Sequence, residues 1–337
     1  MRSGPRASLA LLSCLLAALQ ACGGCSAPSR GEPEKTVAAP PPDAGTKDEE
    51  GSLFGENAFL PMILYNQAEG EPDVHNHYPF VVRIAPLGQA PRPGLRHCAG
   101  VIVAPRLVLT AGHCFCWRRP ISTPEGSVEH RIESSSCVED ALVELFFYEY
   151  DPTLPPGDIA GLTIKRHDGL VRPHPQLEVR LSMKGEVLSS HADLALIALH
   201  VPVPVGFRPV PLAKTGARLQ ESLVRVGFAY SEESGMLHDI RLVHTSKLVA
   251  ASDSQNERFQ FERRTSPFSR GDSGGPCLRP SRQGPMLVGV STTGLGHEPM
   301  LTNLHGFRDW LQEEIQRANS PSSQESIGGS PPGAASP

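Results

Sequence analysis

No run of Lys or Arg in this 337-residue chain is long enough to suggest a nucleic-acid partner, and the formal net charge is −5. The apolar run Leu9–Leu19 near the start stops short of the length that spans a bilayer comfortably. No segment repeats. Helical spacing is missing except near the end, where Phe307, Trp310, Leu311 and Ile315 recur with polar residues between them. Aromatics are few, at 6%, whereas 32 Gly and 33 Pro punctuate the chain, which suits short elements joined by turns.

What is present is a series of short β-rich runs. They include Phe80–Ile84, Gly100–Val103, Arg106–Leu109, Leu177–Leu181, Leu194–Leu199, Leu223–Phe228 and Met286–Ser291. Many short strands separated by turn signals predict an all-β barrel or sandwich. The length allows one large domain or two medium ones.

The N-terminus reads as an export signal over residues 1–21, with Arg2 and Arg6 ahead of the apolar run. Leu19-Gln20-Ala21-Cys22 resembles the bacterial lipobox, in which cleavage precedes a cysteine that carries lipid. Gln20 departs from that pattern, since a small residue is usual there. The expectation is an exported chain tethered to a membrane through Cys22; ordinary secretion with an unmodified Cys22 is the alternative. Either leaves the mature chain where disulfides persist. Residues 22–60 include Ala38–Pro42 and Lys47–Glu50, too rich in Pro, Ala and charge to bury a core, and read as a disordered linker or propeptide. Residues 319–337 read as a Ser/Gly/Pro tail. Of the eight cysteines, Cys14 leaves with the signal and Cys22 is unavailable if acylated. Cys25, Cys98, Cys114, Cys116, Cys137 and Cys277 remain, and six cysteines allow fifteen pairings.

The chemistry concentrates in Arg270–Pro276. Gly271 precedes Ser273 by two residues, and Gly274 and Gly275 follow it directly. Such glycines let the backbone turn sharply. The turn offers a hydroxyl beside converging N–H groups, the arrangement an oxyanion hole needs; a polar turn between strands is the plain alternative. Leu109–Cys114 closes a strand with His113 in a turn of small residues, and His191–Ile197 puts Asp193 at the mouth of an apolar strand. Taken singly, the histidine reads as a surface or core residue and the aspartate as a turn residue.

Together, in the order His, Asp, Ser, these stretches resemble those of the chymotrypsin/trypsin-like serine peptidases over roughly Pro61–Gln316. With its lipobox-like N-terminus, the chain resembles a bacterial exported, lipoprotein-type member of that family, with the peptidase domain at 61–318. The resemblance implies two six-stranded antiparallel β-barrels with a C-terminal helix, His113 and Asp193 on the first barrel and Ser273 on the second. It implies that His113 takes the proton of Ser273, because a serine hydroxyl is a poor nucleophile near neutral pH. Asp193 would fix the tautomer of His113, and the N–H groups of Gly271 and Ser273 would bind the oxyanion. It also implies a Cys98–Cys114 disulfide, and an ion pair of Asp272 with a new N-terminal ammonium, for which Ile63 is the nearest candidate.

Several positions depart from the family. Pro267 stands at the pocket base where trypsin-like enzymes carry an aspartate, so no strong preference for cutting after Arg or Lys is expected. Ser269 replaces a bracing cysteine. The facing wall is Ser291-Thr292-Thr293-Gly294, without the family's tryptophan, and either Ser291 or Thr292 takes the place of its serine. The gap between His113 and Asp193 is longer than usual, and Cys116 is expected to pair with Cys137 within it. Cys277 is left as a buried thiol or a partner of Cys25. A zinc site at Cys114 and Cys116 is disfavoured by their spacing, and no metal or cofactor is expected.

The function that follows is a serine endopeptidase, monomeric, acting on protein or peptide. A catalytically silent relative that keeps the fold as a binding module is the alternative. An esterase on an α/β-hydrolase fold fails on chain order, since there the histidine follows the serine.

Overall fold

The computed structural model describes residues 70–88, 97–124, 126–228, 230–231, 236–237, 239–251, 257–262, 272–292 and 299–320. The chain separates into two units, Met1–Phe59 and Leu60–Pro337, and every described residue lies in the second.

The first barrel is built from β2 (Val81–Pro86), β3 (Cys98–Ala104), β4 (Leu107–Thr110), β7 (Asp140–Glu149), β8 (Gly161–Pro173) and β11 (Ala195–Leu199), after a short β1 (Glu71–Pro72). They close in the order β11-β4-β3-β2-β7-β8. β3, β4 and β11 are buried along their whole length. Such strands read as continuous apolar runs rather than alternating ones, which is why they were legible. β8 is mostly exposed or half-buried, so its sequence, GLTIKRHDGLVRP, carries no such run.

The second barrel comprises β12 (Ser222–Gly227), β15 (Leu242–Ala251), β16 (Arg258–Phe261), β17 (Pro276–Arg279), β18 (Met286–Ser291) and β19 (Met300–Asn303). Their order is β15-β12-β17-β18-β19-β16, and the pairing of β15 with β16 closes the ring. β1 adds to the outer side of β15. The expected pair of six-stranded antiparallel barrels is thus present. β13 (Tyr230–Ser231) and β14 (Met236–Leu237) form a small hairpin.

The long gap after His113 is an added sheet. β5 (Arg119–Ser122), β6 (Val128–Glu133), β9 (Glu178–Leu181) and β10 (Val187–His191) pair in the order β10-β9-β6-β5. A Cys116–Cys137 disulfide closes the β5–β6 excursion over 21 residues, as expected. The final helix, α1 (Arg308–Asn319), buries Leu311 in the core that includes β3. Phe307 belongs to the preceding 3-10 turn, Leu304–Phe307, rather than to the helix.

The larger apolar cluster reaches from the first barrel into the second, where the Phe146 ring of β7 lies 4.9 Å from that of Phe228, just after β12; a smaller cluster around Leu223, Leu248, Phe259 and Leu301 fills the second barrel. A polar strut parallels it. Fully buried Arg241 donates to Asp73 Oδ2 (2.9 Å), the Phe146 carbonyl (2.9 Å) and Asn76 Oδ1 (3.1 Å). A buried guanidinium survives in a fold only when paired this fully.

Candidate active site

Strand register brings the first two candidates together. β11 pairs antiparallel with β4, with Ala195 opposite Thr110. Asp193 lies two residues before Ala195 and His113 three after Thr110, so both turns emerge at one end of the barrel. His113 sits in a single 3-10 turn, Gly112–Cys114, braced by the Cys98–Cys114 disulfide.

Asp193 holds His113 by two bonds. His113 Nδ1 lies 2.7 Å from Asp193 Oδ2, and the His113 backbone N–H donates to Oδ1 at 2.8 Å. Both side chains are buried. Burial pushes the Asp193 carboxyl up, but the His113 charge and those hydrogen bonds, with Arg258 adding its charge, hold it below the ordinary value. The carboxylate therefore stays ionised and fixes which ring nitrogen carries the proton.

The turn of Ser273 interlocks with this pair. The Ala99 N–H donates to the Ser273 carbonyl at 2.8 Å, and Cys114 Sγ lies 4.0 Å from the same oxygen. Gly274 has φ +83°, and a Cβ there would meet Thr110 Oγ1 at 2.1 Å and the Ala99 carbonyl at 2.2 Å. Only glycine fits, on both conformational and steric grounds. The hydroxyl of Thr110 in turn donates to Ala99 O at 2.9 Å, tying β4 to β3 at the contact. Ser273 leads into β17 three residues later, on the second barrel, and is itself buried.

Asp272 points away from this junction. A Cβ on Gly227 would lie 2.2 Å from its Oδ1, so the glycine of β12 makes its space. The Arg225 guanidinium is 3.9 Å from Asp272 Oδ2 and donates to Ser291 Oγ at 3.1 Å. Asp272 Oδ1 accepts no hydrogen bond among the described residues. Burial pushes its pKa up to about 6, against the opposing pull of Arg225. Arg225 is a charged neighbour that motif reading missed: in sequence it is one polar residue of a strand that reads as apolar. Its bond holds the Ser291 side chain at the end of β18, and Thr292, just beyond the strand, is buried as well.

Cys277 is a buried thiol, pushed up to about 12 chiefly by burial. Cys114 and Cys116 are both consumed in disulfides. Cys22, Cys25, Ile63, Pro267, Ser269, Gly271, Thr293 and Gly294 lie outside the described residues, as do the signal, the linker and the tail beyond Ser320.

Two six-stranded barrels, with a buried His–Asp pair on one meeting a glycine-bound serine turn of the other, define the class of chymotrypsin-like proteins. The trypsin-like peptidase domain family matches residues 98–290, and the chain belongs to that family. It is also similar to serine protease 56 of Homo sapiens, 28% identical over an alignment of 283 residues that covers 76% of this chain and 40% of the relative. The matched region thus spans well under half of that relative's length.

Proposed function

We propose that this protein is an exported serine endopeptidase in which Ser273 is the nucleophile, His113 the general base and Asp193 the residue that orients it. The observation that carries the reading is the doubly hydrogen-bonded His113–Asp193 pair set against the Ser273 turn through Ala99. In this mechanism His113 takes the hydroxyl proton as Ser273 attacks the scissile carbonyl, then returns it to the leaving amine. The N–H groups of Gly271 and Ser273 receive the oxyanion, where one lost donor costs on the order of a hundredfold or more in rate. Asp272 sets the loop that carries these donors, its free Oδ1 suiting an N-terminal ammonium such as that of Ile63.

With Pro267 rather than an aspartate at the pocket base, the enzyme has no strong preference for cutting after Arg or Lys. Ser291, Thr292, Thr293 and Gly294 form its wall. The mature chain acts as a monomer on protein or peptide, either tethered to a membrane by lipid on Cys22 or secreted with Cys22 unmodified. Cell-envelope or secreted localisation follows from the N-terminal segment and accords with the two disulfides.

The deciding experiment is fluorophosphonate labelling of purified mature protein and of Ser273→Ala. Labelling of the first and none of the second is expected. An unlabelled, correctly processed parent protein would instead indicate a silent binding module.

A further inference from the structure

We infer that Glu257 is a positioning residue for this site: its carboxylate, carried by the second barrel, clamps the Ala192 turn that delivers Asp193 to His113. The inference rests on the peptidase reading for its consequence, though not for its geometry.

Ala192 is buried and has φ +48°, a left-handed conformation that a residue with a Cβ adopts only when its surroundings hold it there. It immediately precedes Asp193. The support comes from 65 residues away. The Ala192 N–H donates to Glu257 Oε1 at 2.6 Å, and His191 Nδ1 lies 2.7 Å from Glu257 Oε2. Both carboxylate oxygens are thus spent on two consecutive residues of the turn. Leu194 N–H closes the other side of the turn on the Ala192 carbonyl at 2.6 Å.

Glu257 is itself anchored. Its carbonyl accepts from Asn303 N–H at 2.7 Å, which ties it to the end of β19. Its neighbour Arg258 opens β16 and helps keep Asp193 ionised. Two adjacent residues of the second barrel therefore act on Asp193, one by fixing its backbone and one by charge. This differs from a surface ion pair, which would hold only the His191 ring. The clamp also links the barrel that carries Ser273 to the turn that orients its base. A cleft of about 810 Å³, lined in part by His174, His191, Glu257, Phe307 and Trp310, borders the clamp on one side.

The test uses the full mature protein and compares Glu257→Ala with Glu257→Gln. Glutamine keeps an oxygen for the Ala192 N–H; alanine does not. We expect kcat to fall about tenfold or more in Glu257→Ala with KM within about twofold, and to stay within about threefold of the parent in Glu257→Gln. The far-downfield proton resonance of the His113–Asp193 hydrogen bond should shift or broaden in Glu257→Ala and persist in Glu257→Gln. Should Glu257→Ala fold poorly, Ala192→Gly/Glu257→Ala serves in its place. Glycine adopts positive φ unaided, so this double variant should keep more activity than Glu257→Ala or, failing that, the parent resonance. An unchanged kcat, a change in KM alone, equal losses in the Ala and Gln variants, or a double variant with neither activity nor resonance would overturn the clamp. If the parent protein neither hydrolyses peptides nor takes the fluorophosphonate, the peptidase reading fails. The resonance, which needs no substrate, then still decides the role of Glu257.

Discussion

Asp193 and Asp272 are both buried aspartates, yet their surroundings drive them in opposite directions. Asp193 receives two hydrogen bonds from His113 and stays ionised; Asp272 has one guanidinium at 3.9 Å and an oxygen that no described residue satisfies. Asp193→Asn should lower kcat by roughly 10⁴-fold with little change in KM, because an amide favours the wrong imidazole tautomer. Steady-state kinetics on one peptide substrate would show it, and a loss below tenfold would remove Asp193 from the role. For Asp272 the folded pKa of about 6 lies above its ordinary 3.8. The native state therefore holds a proton that the unfolded chain releases first. Its stabilising contribution is complete below about pH 4 and is lost as pH rises to about 6. In the chain uncleaved before Ile63, where no new ammonium faces Asp272, the parent should lose on the order of 3 kcal/mol relative to Asp272→Asn across that window and nothing above it. Denaturant melts at several pH values measure this; parallel curves would refute it.

At the scale of elements, two features outside the barrel strands bear on the site. The Cys116–Cys137 bridge closes a 21-residue loop at the root of the added sheet. Replacing both cysteines with serine should cost about 3 kcal/mol, chiefly by freeing the unfolded chain. A thermal midpoint unchanged from the parent would contradict this. The 3-10 turn and the first turn of α1 together cage His174: its ring lies 4.6 Å from Trp310 and 5.2 Å from Phe307. Burial, with the His191 charge second, lowers its pKa to about 4. Here the folded state prefers the neutral ring. The stability His174 contributes is present above about pH 6.5 and lost as pH falls toward 4. His174→Gln should lack this acid-side loss, which the same melts would reveal.

At the scale of the whole molecule, the site lies where two barrels meet, so whatever joins them also aligns the chemistry. Arg241 is a fully buried polar link between them, with bonds to Asp73, Asn76 and the β7 backbone. Arg241→Met leaves Asp73 buried without its cation and should cost about 3–5 kcal/mol; a loss under 1 kcal/mol by chemical denaturation would show that the aromatic core alone holds the barrels. Cleavage of a peptide library should occur mainly after residues other than Arg and Lys. Products ending chiefly in those two would restore a trypsin-like pocket.

Much of this was legible in the chain before any fold was known. Ser273 among its glycines, His113 at a strand end and Asp193 before an apolar run are local marks, because tight turns and buried strands each demand particular residues within a few positions. Strands buried on both faces, such as Cys98–Ala104 and Ala195–Leu199, announce themselves in the same way. The long, half-exposed β8 does not, since its polar residues face water and erase the pattern. Only the tertiary structure decided that Ala195 stands opposite Thr110, that Arg225 lies under Asp272, and that Glu257 reaches Ala192. Each of these contacts joins residues at least 47 positions apart, where no periodicity connects them; by composition alone, Arg225 and Glu257 look like any other surface charge.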